Sequence, residues 1–203
     1  MKGKLVKDAL ILTIITLVSG LGLGIVYEIT KEPIRKANEE ALVRSYKAVF
    51  EDADTFTDLP DFDAEKAAEV LSSNSIEGVS VKFTEKALDA SGNTIGYVIG
   101  IKSGGGYGGP IEFSMGVTKD GKLTGYSITS IGETPGLGMK ADSYGENTFS
   151  HQWIGKSTDN LYKVKKDGGE IEAISGATIT SRCMTKGING GIVWFNYLEG
   201  GAQ

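Results

Sequence analysis

An uncharged run of 19 residues, Ala9–Tyr27, constrains the fold of this chain more than any other feature. As an α-helix it would extend about 28 Å, close to the thickness of the hydrocarbon core of a bilayer. A cleaved signal peptide also starts with basic residues, but its apolar stretch is shorter and ends at a small-residue cleavage site, which this run does not clearly show. The run therefore predicts one membrane-spanning helix.

The charges that flank this run bear on its orientation. Three basic residues precede it and three follow it closely, so the comparison of basic residues on the two sides is close to a tie. The free amino terminus and the acidic residues after the run favour residues 1–8 in the cytoplasm. Residues 28–75 are then predicted to form a helical connector, and residues 76–203 a domain.

Composition excludes several kinds of protein. The net charge is −5, and after residue 36 the chain holds 15 basic and 23 acidic residues. Nucleic acid is not an expected partner, because phosphate contacts need clustered basic side chains. One histidine, His151, and one cysteine, Cys183, cannot build a Cys/His zinc site, a Cys-ligated iron–sulfur cluster or an intrachain disulfide. Any chemistry is therefore expected to come from a cofactor.

Hydrophobic periodicity indicates the secondary structure. Helical spacing occurs at 38–50 and 64–71, on either side of an acidic, turn-rich stretch, and residues 182–197 predict a last helix. Three glycines inside that last helix each cost about 1 kcal/mol of helix propensity. Two hairpins are predicted between these helices, with turns at Ser91-Gly92-Asn93 and Asp120-Gly121. Their strands are Val79–Leu88, Thr94–Lys102, Ile111–Thr118 and Leu123–Ile131.

These patterns together predict an α+β fold. One transmembrane helix is followed by a domain in which helices pack against an antiparallel sheet.

Residues 175–182 combine very small residues with hydroxyl groups and one guanidinium; they are Ser175, Gly176, Ala177, Thr178, Ile179, Thr180, Ser181 and Arg182. Small residues let the backbone approach a ligand closely, and N–H groups at a helix start point towards anions. A phosphate here would meet amides, hydroxyls and the guanidinium. An ordinary Ser/Thr helix cap would explain the same residues without any ligand.

Two further loops are rich in glycine. Residues 103–110 contain five glycines around Tyr107, so this loop could approach a planar ring closely, or simply link two strands. The loop fits neither a Walker A motif nor a dinucleotide-binding fingerprint. In the second loop, Glu133–Gly138, the dipeptide Pro135-Gly136 suits the middle of a type II turn.

Taken in order, these motifs resemble the signatures of the FMN-binding domain family. The matching segments are Thr30–Ile34, Gly105–Ile111, Glu133–Gly138 and Ser175–Ser181. The family includes the G subunit of the Rnf electron-transport complex and the C subunit of the sodium-pumping NADH:quinone reductase. The resemblance implies FMN joined through its phosphate, as a phosphoester, to Thr178. A flavin transferase that uses FAD makes this bond, and its usual recognition pattern has Asp where this chain has Glu172.

The resemblance also implies which side chains contact the flavin. Thr134 and backbone amides of the second loop would border the ring, and Leu137 would cover an apolar face. The full set of expected cofactor-binding residues is Ser175, Gly176, Ala177, Thr180, Ser181, Glu133, Thr134, Leu137, Gly138, Lys140, Tyr107 and Gly108. No catalytic residue and no metal ligand is expected, since Thr178 serves as an attachment point.

The function implied by the resemblance is electron transfer within an Rnf-type complex, which couples ferredoxin oxidation and NAD reduction to sodium or proton transport. The expected partners are the other Rnf subunits, the flavin transferase and the membrane, with no small-molecule substrate. The chain would be a single-pass protein of the cell (inner) membrane with its domain on the extracytoplasmic side. Three alternatives remain: the C subunit of the quinone reductase, whose members tend to be longer, a membrane-tethered binding module with unmodified Thr178, and an extracytoplasmic flavin reductase.

Overall fold

The computed structural model describes residues 2–200, and the chain divides into two compact units after Ala41. Met1 and residues 201–203, which belong to the predicted cytoplasmic segment and the predicted domain, lie outside the described residues. The first helix, α1, runs over Lys2–Val49. Among the described residues, it is the one helix that is long and apolar enough to cross a membrane, and apolar side chains such as Leu10 and Leu23 are exposed along it.

Helix α1 is longer than the sequence pattern indicates. The predicted span 9–27 and all but the last residue of the predicted span 38–50 belong to it, and the helix continues through Pro33. Proline lacks an N–H group, so one hydrogen bond of the ladder is missing there. Next to it, Arg35 pairs with Glu32 at 2.9 Å and with Glu39 at 2.6 Å, one helical turn to either side. Such pairs at helical spacing support the helix where the proline weakens it.

A five-stranded antiparallel sheet forms the centre of the second unit, with the strands in chain order. Its strands are β1 (Thr55–Asp58), β2 (Val79–Leu88), β3 (Thr94–Ser103), β4 (Ile111–Thr118) and β5 (Leu123–Ser130). The four predicted strands are confirmed to within one residue at each end. The predicted turns also form, with Gly92 and Gly121 at positive φ.

The edge strand β1 lies within the acidic, turn-rich stretch 51–63, in which no strand was predicted. β1 is four residues long, too short for an alternating pattern to be recognised. It forms by pairing with β2, in a register that sets Thr55 opposite Leu88 and Asp58 opposite Glu85. This pairing joins residues 27 to 33 positions apart, so no local pattern indicates it.

Helices cover both faces of the sheet. Helix α2 (Ala64–Ser73) is capped by the Asp63 carboxylate, which accepts from the N–H of Glu65 at 2.8 Å. Together with α3 (Thr178–Gly200) it covers one face, where Phe113 and Ile188 are fully buried. On the other face, the last residues of α1 pack on Ala87 and Val98 in a smaller core. The predicted α+β fold is confirmed.

Helix α3 begins four residues earlier than predicted and ends three residues later. Its interior glycines lie where the helix packs against the rest of the domain. A Cβ added to Gly187 would lie 2.9 Å from the Phe113 ring, and one added to Gly190 would lie 2.7 Å from Val79. The loss in helix propensity is therefore compensated by close packing of the helix on the strands.

Between β5 and α3 the chain forms a long irregular segment with three short 3₁₀ helices, η1 (Gly138–Asp142), η2 (His151–Trp153) and η3 (Lys165–Asp167). Buried side chains attach this segment to the main core, among them Trp153, Val164 and Ile171. The segment brings residues 174–177 to the start of α3, next to the loops that follow β3 and β5.

Candidate functional site

Three segments that are distant in sequence meet at the start of α3: the loop between β3 and β4, the residues after β5, and residues 174–180. A cavity of about 390 Å³ lies between them. It is lined by Tyr107, Glu133, Thr134, Leu137, Gly138, Gly176, Ala177, Ile179 and Thr180. Eight of these nine residues belong to the set expected from the sequence.

The carboxylate of Glu133 joins the three segments. Glu133 is only 6% exposed. Its Oε2 accepts a hydrogen bond from Thr180 Oγ1 at 3.0 Å, and its Oε1 accepts one from the backbone N–H of Gly108 at 3.3 Å. A buried carboxylate needs such donors, because burial removes it from water. Glu133 therefore holds the glycine-rich loop and α3 in one arrangement.

Glycines surround this carboxylate for a steric reason. A Cβ added to Gly106 would lie 2.6 Å from Oε1 of Glu133, and one added to Gly138 would lie 2.5 Å from Oε2. At Gly108 a Cβ would lie 2.0 Å from the carbonyl oxygen of Gly132. These glycines let the loops approach Glu133 and each other, so the first loop is a packed part of the site rather than a flexible linker.

Two tight turns shape the cavity wall. The expected type II turn at Pro135-Gly136 is confirmed: Leu137 N–H donates to the Thr134 carbonyl at 3.2 Å, and Gly136 has φ +76°. A second turn with the same pattern spans residues 174–177, where Ala177 N–H donates to the Ile174 carbonyl at 2.9 Å. Its third residue is Gly176, with φ +75°.

The two turns face each other closely. A Cβ on Gly176 would lie 3.0 Å from Leu137 Cδ2. Together with its positive φ, this contact requires glycine at position 176.

Thr178 is the first residue of α3 and is partly exposed between two lining residues, Ala177 and Ile179. The N–H groups of the first helical residues have no acceptor inside the helix, and the helix dipole makes this end positive. The start of α3 therefore presents donors to an anion next to the Thr178 hydroxyl.

Ser181 lies inside the fold, next to residues that line the cavity. It is fully buried, and its hydroxyl accepts from Ile174 N–H at 2.9 Å and donates to the Ala177 carbonyl at 2.9 Å. Both bonds brace the turn that precedes α3. Ser181 does not line the cavity, so it supports the site from within the fold.

A lysine that the sequence did not single out reaches Thr178. Lys166 Nζ, from η3, donates to Thr178 Oγ1 at 3.0 Å. The guanidinium that was expected to meet a phosphate is occupied elsewhere: Arg182 donates to the two carboxylate oxygens of Asp167 at 2.7 and 2.5 Å. These hydrogen bonds lower the pKa of Asp167 and raise that of Arg182.

Large apolar side chains lie open around the cavity. Tyr107 is 73% exposed, Ile179 49% and Leu137 43%. Exposed apolar surface that is gathered around one cavity is typical of a ligand or partner site.

A second cavity, of about 620 Å³, is lined in part by residues 172–175. Two expected residues, Lys140 and Ser175, line this cavity instead of the first one, together with Glu172 and His151. The expected set is therefore divided: most of it surrounds the first cavity, and these two residues face the second.

Comparisons with known proteins show the family of this chain. The FMN-binding domain family matches residues 106–193, from the glycine-rich loop to α3. A relative from Acetobacterium woodii, the G subunit of the Na(+)-translocating ferredoxin:NAD(+) oxidoreductase complex, is 32% identical over 188 residues, 90% of this chain and 87% of its own. The chain belongs to this family of G subunits.

Two more known proteins are similar to this chain. The G subunit of the proton-translocating ferredoxin:NAD(+) oxidoreductase complex of Clostridium ljungdahlii is 33% identical over 192 residues, 94% of this chain and 91% of its own. Among solved structures, the NqrC crystal structure from Shewanella oneidensis has 26% sequence identity and a TM-score of 0.43, covering 58% of this chain and 60% of that chain. The family membership expected from the motifs is confirmed.

Proposed function

We propose that this protein is the electron-relay subunit of an Rnf-type complex and carries FMN as a phosphoester on Thr178. The observation that carries the proposal is the setting of this threonine: its hydroxyl lies at a helix start, 3.0 Å from the ammonium of Lys166, beside a cavity with an apolar rim. A phosphate needs the first two features and a flavin ring needs the third.

The residues present fit both ends of FMN. The helix start and Lys166 offer donors and positive charge to the phosphate. Tyr107, Leu137 and Ile179 offer apolar and aromatic surface to the ring, and Thr134 offers polar atoms at its edge. Bound FMN would supply the redox chemistry of its isoalloxazine ring. The contribution of the chain is to hold the phosphate, to orient the ring and to shield one side of it from water.

A covalent bond suits a carrier that works outside the cytoplasm. Free flavin is scarce there, and even nanomolar affinity, about 12 kcal/mol, would eventually lose the cofactor. An ester through the phosphate removes this equilibrium and leaves the ring unsubstituted.

Location and partners follow from the same proposal. Helix α1 would anchor the chain with its amino terminus in the cytoplasm, and the domain would lie on the extracytoplasmic side. The other Rnf subunits would exchange electrons with the flavin, and a flavin transferase would load it. The names of the two relatives mention sodium in one case and protons in the other, and the complex proposed for this chain would transport one of these two ions.

The alternatives have less support. The similarity to the two G subunits covers about nine-tenths of the chain at about one-third identity, which favours an Rnf complex over a quinone reductase. A binding module without a flavin would leave the apolar rim of the cavity exposed. A free-standing flavin reductase predicts a specific small-molecule product, whereas a relay does not form one.

The attachment can be tested by producing the full chain in membranes together with a flavin transferase. We expect flavin fluorescence to stay with the denatured wild-type band, and the peptide that contains Thr178 to gain the mass of FMN. Thr178→Ala should abolish both signals. Thr57→Ala, which removes an exposed hydroxyl from β1, is the matched control and should retain them. Equal fluorescence in wild type and Thr178→Ala would disprove the attachment.

A further inference from the structure

We infer that Lys166 is the residue of this chain that promotes ester formation at Thr178, and that Asp167 and Arg182 hold it in position. The inference rests on the proposed function, because it concerns the reaction that would load the flavin. It assigns a role to η3, a turn that the sequence motifs do not include.

The contact between Lys166 and Thr178 is directed at the reacting atom. Lys166 Nζ lies 3.0 Å from Thr178 Oγ1, the oxygen that would bind phosphorus. An ammonium group is a hydrogen-bond donor only, so the threonine oxygen accepts this bond. Negative charge that develops on this oxygen is stabilised by the ammonium, and so is the charge that the finished phosphodiester keeps beside it.

The turn that carries Lys166 is fixed at its base. Lys165 N–H donates to the Ile171 carbonyl at 2.8 Å, and Gly169 N–H donates to the Val164 carbonyl at 3.1 Å. Val164 and Ile171 are both 1% exposed. A Cβ on Gly169 would lie 2.0 Å from the Lys163 carbonyl oxygen, so the turn closes tightly on itself.

Asp167 connects η3 to α3 through an ion pair. Its carboxylate accepts two hydrogen bonds from Arg182, at 2.7 and 2.5 Å. Arg182 is four residues after Thr178, so the two lie on the same side of α3. Exposed ion pairs add little stability. We therefore assign this pair a positioning role. It holds Asp167, and with it the adjacent Lys166, next to the first turn of α3, which begins with Thr178.

The other cation of η3 has a different partner. Lys165 pairs with the Glu172 carboxylate at 3.4 Å. Lys165 thus has a carboxylate partner, and Lys166 is the lysine of η3 whose ammonium contacts Thr178.

The reaction that Lys166 promotes is a phosphoryl-group transfer without oxidation or reduction. A bond forms between Thr178 Oγ1 and the flavin-side phosphorus of FAD, the bond from that phosphorus to the bridging oxygen breaks, and AMP leaves. The hydroxyl proton must go to a base. The Lys166 ammonium cannot accept it, so the base belongs to the transferase.

The test measures the initial rate of covalent flavin incorporation into the full-length chain in detergent, with purified transferase and FAD, by fluorescence of the denatured band and by intact mass. Lys166→Gln should slow incorporation at least about tenfold, as expected for loss of a positively charged donor next to a developing negative charge. Lys166→Arg, which keeps a charged donor, should recover most of the rate. Lys119→Gln, which removes an exposed lysine from the turn between β4 and β5, is the control and should react like wild type.

A second pair of variants tests the positional role of the ion pair. Arg182→Gln should slow incorporation, and the reversed pair Asp167→Arg with Arg182→Asp should recover part of the rate. Because these side chains are exposed, we expect all variants to keep the wild-type unfolding curve. That curve is measured by tryptophan fluorescence, which verifies that each variant is folded.

The outcomes separate the two proposals. If wild type incorporates flavin and Lys166→Gln does so at the same rate, the role of Lys166 is wrong while the proposed function stands. If Lys166→Gln is slow and Lys166→Arg is equally slow, a charged donor is not what matters, and the inference is also overturned. If wild type incorporates no flavin and cannot be distinguished from Thr178→Ala, the proposed function itself fails.

Discussion

Glu133 shows how a single side chain organises the site. It is buried between the glycine-rich loop and α3, and its two carboxylate oxygens each accept a hydrogen bond from one of them. The sequence marks Glu133 as the first residue of a loop motif and as an expected cofactor contact, but not as a link between two segments. Its partner Thr180 is 47 positions away, and no local pattern indicates that the two meet.

Thr180→Val tests this link, because it removes the donor and leaves a buried carboxylate oxygen without a partner. We expect the free energy of unfolding to fall by about 1 to 3 kcal/mol. Thr185→Val is the matched control, since that hydroxyl donates only to the Ser181 carbonyl within α3, at 2.8 Å. The control should lose less than about 1 kcal/mol. Urea unfolding can be followed with the buried Trp153 and Trp194. Equal losses in the two variants would contradict the role of Glu133.

Helix α3 carries both the proposed attachment residue and the closest contacts with the sheet. Its interior glycines weaken the helix by propensity, yet each lies against a strand or against α2. At Gly187 the neighbours are the Phe113 ring and Ser103 Cβ, both at 2.9 Å, and neither can move freely. At Gly191 the nearest atom is the terminal methyl of Met115, which a flexible side chain can withdraw.

Substitution of these two glycines by alanine should therefore have different effects. Gly187→Ala should lower the free energy of unfolding by about 1 to 2 kcal/mol, because overpacking exceeds the gain in helix propensity. Gly191→Ala should change it by less than about 1 kcal/mol, since Met115 can shift. Thermal unfolding of both variants checks this expectation. A Gly187→Ala variant as stable as Gly191→Ala would show that α3 does not pack as closely as described.

The stability of the whole domain depends on a carboxyl group on the sheet face that the last residues of α1 cover. Glu85 of β2 is 8% exposed, lies opposite Asp58 of β1 and is close to Tyr46. Burial, and then the neighbouring Asp58, raise the pKa of Glu85 to about 7, while the hydrogen bond with Tyr46 lowers it. The folded chain therefore keeps a proton on Glu85 at a pH where the unfolded chain has lost it.

The difference in the pKa of Glu85 between the folded and unfolded chains predicts how the free energy of unfolding changes with pH. The contribution of Glu85 to stability is complete below the pKa of an unfolded glutamate, about 4.3, and is lost as the pH rises towards 7. Glu85→Gln stays uncharged, so at pH 8 it should exceed wild type in free energy of unfolding by about 1 to 2 kcal/mol, and the gap should narrow as the pH falls and close at about pH 4. Urea unfolding of the wild-type and variant full chains in detergent measures this difference in free energy at each pH. The exposed Glu69→Gln is the control, and a gap that is constant with pH would contradict the prediction.

Patterns between near neighbours were sufficient for most of the fold. Each element that was predicted depends on residues within a few positions of one another. These elements are the long apolar helix, the four longer strands, the two hairpin turns and the Pro135-Gly136 turn. The motif order also indicated the family. Segments whose conformation depends on distant partners were missed or shortened, as with β1, which forms only by pairing with β2.

The detailed arrangement of the site depends on contacts across the fold. Arg182 was expected to meet a phosphate, but Asp167 occupies it, and Lys166 contacts Thr178 instead. Patterns between near neighbours reveal helices and turns but do not indicate such pairs. These residues are 12 and 15 positions apart and meet only through the packing of the loops. Local residue order thus specified the long apolar helix, the strands and the proposed attachment motif, whereas packing of the long segment between β5 and α3 places Lys166 next to Thr178.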